Sequence, residues 1–126
     1  MLTLRDRTRL VGVRPDLVRV VERARGYADF IVTEGLRTEA RQRELFAQGA
    51  STTMNSRHLT GHAVDLAALV GKEVRWDWPL YDRLGAAMKR AAAEEKVAIT
   101  WGGDWPRFRD GPHFELSWDR YPAPPR

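Results

Sequence analysis

At 126 residues the chain has room for one domain whose core buries roughly two thirds of the unfolded surface; a second domain would not fit. A hydrophobic fraction of 43% and a charged fraction of 30% exclude wholesale disorder, and the absence of cysteine excludes a disulfide framework, a thiolate zinc site and a cysteine nucleophile. The net charge of +4 comes from basic residues spread along the chain, which reads as a solvated surface and not as a nucleic-acid reader.

The N-terminus turns charged at Arg5 and Asp6, too early for a signal peptide, and no apolar run approaches the ~20 residues of a membrane span. The expectation is a product made in the cytoplasm, with no membrane insertion. Thr3 with Asp6 has the form of a capping box opening a short helix over residues 4–10, which Gly12 ends. Pro15 begins a second helix with Leu17, Val20, Val21 and Ala24 at helical spacing and Gly26 as its stop, so residues 1–28 form an N-terminal helical part.

Residues 29–33 are short, branched and apolar, and predict a buried strand that delivers Glu34, Gly35, Leu36 and Arg37 at its end. Thr38 caps a helix through Gln48, with Ala40, Leu45 and Phe46 expected inward and Gly49 terminating it. A small polar loop over 50–55 leads to Ser56, Arg57 and His58. Residues 63–69 then predict a central strand with Val64, Leu66 and Ala68 on one face and Ala63, Asp65 and Ala67 on the other. An unpaired carboxylate there is costly, and a cation beside Asp65 would stabilise it.

Residues 71–78 read as a loop, and Pro79 opens a long helix to about Lys96 with Leu80, Leu84, Ala87, Met88 and Ala91 inward. Residues 97–101 predict a strand and Gly102-Gly103 a turn. Residues 112–118 predict the last strand, with His113 and Glu115 on one face and Phe114 and Leu116 on the other, and residues 119–126 a proline-rich tail. Trp76, Trp78, Trp101 and Trp105, beside glycine turns, are expected in the core and not as a peptide or glycan platform. The fold class is α+β: a single domain with a small, mainly antiparallel sheet packed with helices.

All three histidines fall in two segments, residues 56–65 and 110–115. His58, Asp65 and His113 supply the two imidazoles and one carboxylate of a catalytic zinc site, which leaves a position for an acidified water. His62 competes with His58, and the residues lean to His58 because it lies in the loop and can turn inward. Asp110, three residues before His113 across Gly111-Pro112, can act as the base on that water; Glu115 competes, and suits orienting a ligand from behind.

Together, Ser56-x-His58-x-x-Gly61-x-Ala63-x-Asp65, Trp101-Gly102-Gly103-Asp104-Trp105 and Asp110-x-x-His113 resemble the VanY-like zinc peptidases (peptidase M15). Within that family the likeness is to the L-alanyl-D-glutamate peptidases of phage endolysins and bacterial autolysins, and it runs from about Thr33 to Leu116. The resemblance implies a Hedgehog/D-Ala-D-Ala peptidase-like fold, Zn2+ on His58, Asp65 and His113, and Asp110 as base. It favours His58 over His62, because the family places no ligand after the glycine.

By the same resemblance Arg37 steadies the substrate carbonyl or oxyanion and Ser56 contacts substrate, while a salt bridge of Arg37 with Glu34 or Glu39 is an equal expectation. Gln42 matches a recurring glutamine read as structural. The implied function is hydrolysis of the peptidoglycan stem peptide, between L-Ala and D-Glu, by a monomer acting on the cell wall after release. The rivals are a D,D- or L,D-carboxypeptidase on the same scaffold and a non-catalytic metal-bearing wall-binding module.

Overall fold

In the first helix, α1 (Leu4–Arg9), both hydrogen bonds of the expected capping box form between Thr3 and Asp6, each 3.1 Å long. The second oxygen of Asp6 accepts from the Val32 backbone N–H at 2.9 Å, so one buried carboxylate both caps α1 and fastens it to the sheet. The second helix, α2 (Pro15–Ala24), buries Leu17, Val20, Val21 and Ala24 as their spacing predicts. These details come from a computed structural model that describes residues 2–51 and 56–122. The loop expected over 50–55 and the tail over 119–126 therefore lie partly outside the described residues.

Five strands form one antiparallel sheet: β1 (Phe30–Glu34), β2 (Ala63–Val70), β3 (Glu73–Arg75), β4 (Ile99–Trp101) and β5 (His113–Leu116). The main order is β1-β2-β5-β4, with β3 also paired to β2. Strand β2 is the centre. Its residue Ala68 pairs with Phe30 on one side and with Arg75 on the other, so β3 and β5 share one edge of β2 end to end. The remaining helices are α3 (Glu39–Ala47) and α4 (Trp78–Glu95).

The core fills one face of this sheet. Leu17, Val20 and Val21 of α2 and Leu84, Met88 and Ala91 of α4 pack with Phe30, Val32, Val64, Leu66, Phe114 and Leu116. That follows from the alternation of β2 and β5, whose odd-numbered residues turn to the opposite face.

Four expectations change. The segment over 71–78 contains β3, a three-residue strand reached by a two-residue turn in which Gly71 adopts a φ of 63°. Helix α3 buries Gln42 completely, whereas Ala40 and Phe46 are exposed and Leu45 is half-buried, because its inward partner is the polar group Arg37. Of the four tryptophans only Trp101 is buried; Trp105 is half-buried and Trp76 and Trp78 are exposed. Tyr121 is not a loose tail residue: its hydroxyl donates to Asp16 at 2.7 Å and its carbonyl accepts from Arg57 at 2.6 Å.

Candidate metal centre

Strand register builds half of the site. Asp65 of β2 stands directly opposite His113 of β5, and Ala63 stands opposite Glu115, so all four share the face turned away from the helices. A 3-10 turn over Arg57–Thr60 supplies the rest, with the Ser56 hydroxyl accepting from the His58 N–H at 3.2 Å and Gly61 closing it at a φ of 74°. His58 is 2% exposed. One ligand atom from each of His58, Asp65 and His113 lies within 4.8 Å of the other two.

The hydrogen bonds fix how the imidazoles present themselves. His58 Nδ1 lies 2.8 Å from the Gly35 carbonyl, which can only accept, so Nδ1 carries the proton and Nε2 offers a lone pair. That Nε2 is buried and has no hydrogen bond among the described residues, 3.3 Å from Asp65 Oδ1. A lone pair facing a carboxylate in a buried site is unfavourable unless a cation sits between them, and two nitrogens with one oxygen are the donor set of a zinc-type ion. The residues fit such an ion. His113 Nε2 donates to Glu115 Oε1 at 2.7 Å, which turns Nδ1 toward Asp65 at 3.3 Å.

Charge follows this geometry. Burial alone would raise the Asp65 carboxyl, but the hydrogen bond and charge of His113 hold it well below the usual carboxylate range. Burial likewise opposes charge on His113, yet Asp65 and Glu115 push it up to about 9. The half-buried carboxyl of Asp110 is raised by desolvation and by the charge of Asp65, as suits a group that must gain and lose a proton. Asp110 stands on the turn that feeds β5: its N–H donates to Gly102 at 3.0 Å, and a Cβ on Gly102 would lie 3.1 Å from both Asp110 Cβ and His113 Cβ.

Arg37 meets the expected partner Glu34 through two parallel bonds, Nε to Oε1 at 2.7 Å and Nη2 to Oε2 at 2.6 Å, while Nη1 donates to Gln42 Oε1 at 2.6 Å. The ion pair does not take it away from the site, since Nη2 remains 3.9 Å from Asp65 Oδ2. A bulge between Val32 and Glu34 sets Glu34 opposite Asp65 and so aims this pair. His62 stands outside the metal-ligand group: its Nδ1 bonds Thr60 Oγ1 at 2.6 Å, and burial lowers its pKa.

Arg57 has no place in the sequence reading, although it stands between Ser56 and His58. Its buried guanidinium donates to the carbonyls of Leu116 and Tyr121, lies 4.0 Å over the Trp118 ring and comes within 4.0 Å of Glu115 Oε2. It thereby balances the carboxylate that orients His113. Trp105 packs a tilted ring on His113 at 5.1 Å between centroids.

The family model described as phage L-alanyl-D-glutamate peptidase matches residues 1–117. The chain belongs to this family. It is 37% identical over 93 residues to the L-alanyl-D-glutamate peptidase of Listeria phage A118, a match covering 74% of this chain and 32% of that protein. Against the L-alanyl-D-glutamate peptidase of Escherichia phage T5 it is 30% identical over 102 residues, 76% of this chain and 74% of the other. Peptidoglycan L-alanyl-D-glutamate endopeptidase CwlK of Bacillus subtilis is 34% identical over 103 residues, with 70% and 60% covered. The crystal structure of the Serratia marcescens L-Ala D-Glu endopeptidase ChiX superposes with a TM-score of 0.92 at 48% identity, over 97% of this chain and 93% of that one. The α+β fold with its antiparallel sheet is thus the fold of a solved family member, while the chain spans only about a third of the Listeria phage protein's length.

Proposed function

We propose that the chain is a zinc-dependent endopeptidase that hydrolyses the bond between L-Ala and D-Glu in the peptidoglycan stem peptide, acting as a monomer on the cell wall. The single observation that carries this reading is the buried, unbonded Nε2 of His58 facing Asp65 and His113 with Asp110 beside them. His58, Asp65 and His113 would hold the ion. When bound, zinc supplies a Lewis acid for the scissile carbonyl and lowers the pKa of water toward ~7.

The chain's own residues supply proton transfer and orientation. Asp110, with its raised pKa, takes the proton of the attacking water and passes it to the leaving amine. Arg37 commits three of its five N–H groups to Glu34 and Gln42, and a remaining one donates to the substrate carbonyl oxygen. The Ser56 hydroxyl, whose oxygen caps the turn, keeps its proton for a substrate carbonyl. Glu115 keeps the His113 ring turned for binding.

Mass spectrometry of muropeptides from walls digested by the zinc-loaded protein tests this. The expected fragments end at L-Ala and begin at D-Glu. Release of a single C-terminal residue would make the protein a carboxypeptidase, and unchanged masses with zinc retained would make it a binding module; either overturns the proposal. Asp110→Asn is expected to keep its zinc and lose roughly 10²–10⁴ in kcat.

A further inference from the structure

A groove of about 190 Å³ opens at Asp110, lined by Trp76, Trp78, Tyr81, Arg109, Asp110 and Gly111. It is smaller than the roughly 300 Å³ at which sites for drug-sized ligands begin, so it accepts one residue and not an oligomer. A larger hollow of about 500 Å³, lined by alanines with Lys96 and Arg120, shares no residue with the metal centre. The smaller one takes in Asp110, the proposed base. Gly111 is wedged so closely that an added Cβ would lie 3.1 Å from Tyr81 and 3.3 Å from the Trp78 ring, while the neighbouring Asp110 sits close to His113, the Cβ atoms of both lying 3.1 Å from the place of a Gly102 Cβ.

The groove is built to present a guanidinium. Arg109 Nε donates to the Gly103 carbonyl at 2.8 Å and its guanidinium carbon lies 4.3 Å over the Trp78 ring. Among the described residues no carboxylate pairs with it, although it stands next to Asp110. Trp76 and Trp78 are exposed, and Trp76 stacks parallel on the buried Tyr81 at 6.0 Å. An arginine steadied on an aromatic face with its outer N–H groups open is prepared for a planar carboxylate, and the indoles for the methylenes beside it.

We propose that this groove holds the D-glutamate on the leaving side of the scissile bond, with Arg109 as the specificity-determining residue that pairs with its spare carboxylate. This rests on the proposed function. There Asp110 protonates the leaving amine, which is the nitrogen of D-Glu, so the group nearest Asp110 beyond that nitrogen is the glutamate itself. A glutamate joined through its nitrogen to L-Ala and through one carboxyl to the next residue keeps the other carboxyl free, whichever one continues the chain. The uncharged muramyl side of the bond offers no such anion.

Two synthetic tripeptides test it, L-Ala-D-Glu extended by one residue through the stem linkage, with the spare carboxyl either free or converted to the carboxamide. Wild-type holoenzyme is expected to prefer the carboxylate by roughly tenfold in KM. Arg109→Gln is expected to erase that preference with kcat within about twofold and the carboxamide reaction unchanged, and Arg109→Lys to restore part of it. Equal slowing of both tripeptides by Arg109→Gln, or no preference in the wild type, overturns the assignment; so does an Arg109 effect that appears only when a muramyl sugar is attached. If the wild type cuts neither tripeptide, the wall digest judges the proposed function separately. Calorimetry of the same pair then decides the groove: tighter binding of the carboxylate form by wild type but not by Arg109→Gln supports it, and equal binding overturns it.

Discussion

The two sides of the candidate centre are held in different ways. On the β2–β5 side, pairing of Asp65 with His113 follows from strand register, so two ligands are set once the hydrophobic alternation of Val64, Leu66, Phe114 and Leu116 chooses a face. On the loop side, Arg37 and His58 have no ladder to position them. They depend on a bulge at Glu34, a buried Gln42, the Gly35 carbonyl and a serine cap. A site residue on a strand inherits its geometry from the core, whereas one on a loop needs dedicated polar partners, and each partner is a place where it can fail.

The largest effect short of removing a ligand is expected at Glu115. Glu115→Gln can still meet His113 Nε2 but no longer as a charge, and it leaves Arg57 without its compensating carboxylate. Metal affinity measured by competition with a chelator is expected to fall roughly 10- to 100-fold. Unchanged affinity would mean that register alone suffices on the strand side.

On the loop side, Gln42→Leu removes the amide that accepts from Arg37 Nη1 and donates to the Ser51 hydroxyl. A cost of about 1–3 kcal/mol in denaturant unfolding is expected, with metal content preserved and kcat reduced. Loss of metal instead would show that the two sides are not separable.

A smaller, pH-dependent difference separates metal-free from metal-loaded protein. Without metal, the His113 pKa is raised from 6.5 to about 9, so its protonation stabilises the fold below 6.5 and that contribution is lost as the pH climbs through about 9. Thermal melts with a chelator present should therefore decline over this window. With zinc bound, His113 Nδ1 carries no proton and the decline should be absent; parallel curves would count against His113 as a ligand.

The strand side was the legible side. The alternation over residues 63–69 set Asp65 with Ala63 and Ala67, and that over 112–118 set His113 with Glu115, and the register of β2 and β5 then joins the two faces. The caps at Thr3, Thr38 and Ser56 need only local spacing, and Thr3, read that way, closes its box with Asp6. Periodicity failed on α3 because its buried residue is a glutamine whose partner is an arginine, and no apolar pattern can announce that. Trp76 and Trp78 went astray because the burial preference of tryptophan is an average, and residues lining a groove depart from it. Arg57 was invisible since its acceptors, Leu116 and Tyr121, lie some 60 residues away in sequence and meet it only after folding.

The most direct test of the ligand assignment is metal stoichiometry in purified His113→Ala and His62→Ala, two buried histidines of which one belongs to the metal-ligand group. One zinc per chain is expected in the wild type and in His62→Ala, and almost none in His113→Ala, with a fall in melting temperature. Full zinc in His113→Ala, or its loss in His62→Ala, would contradict the centre described above.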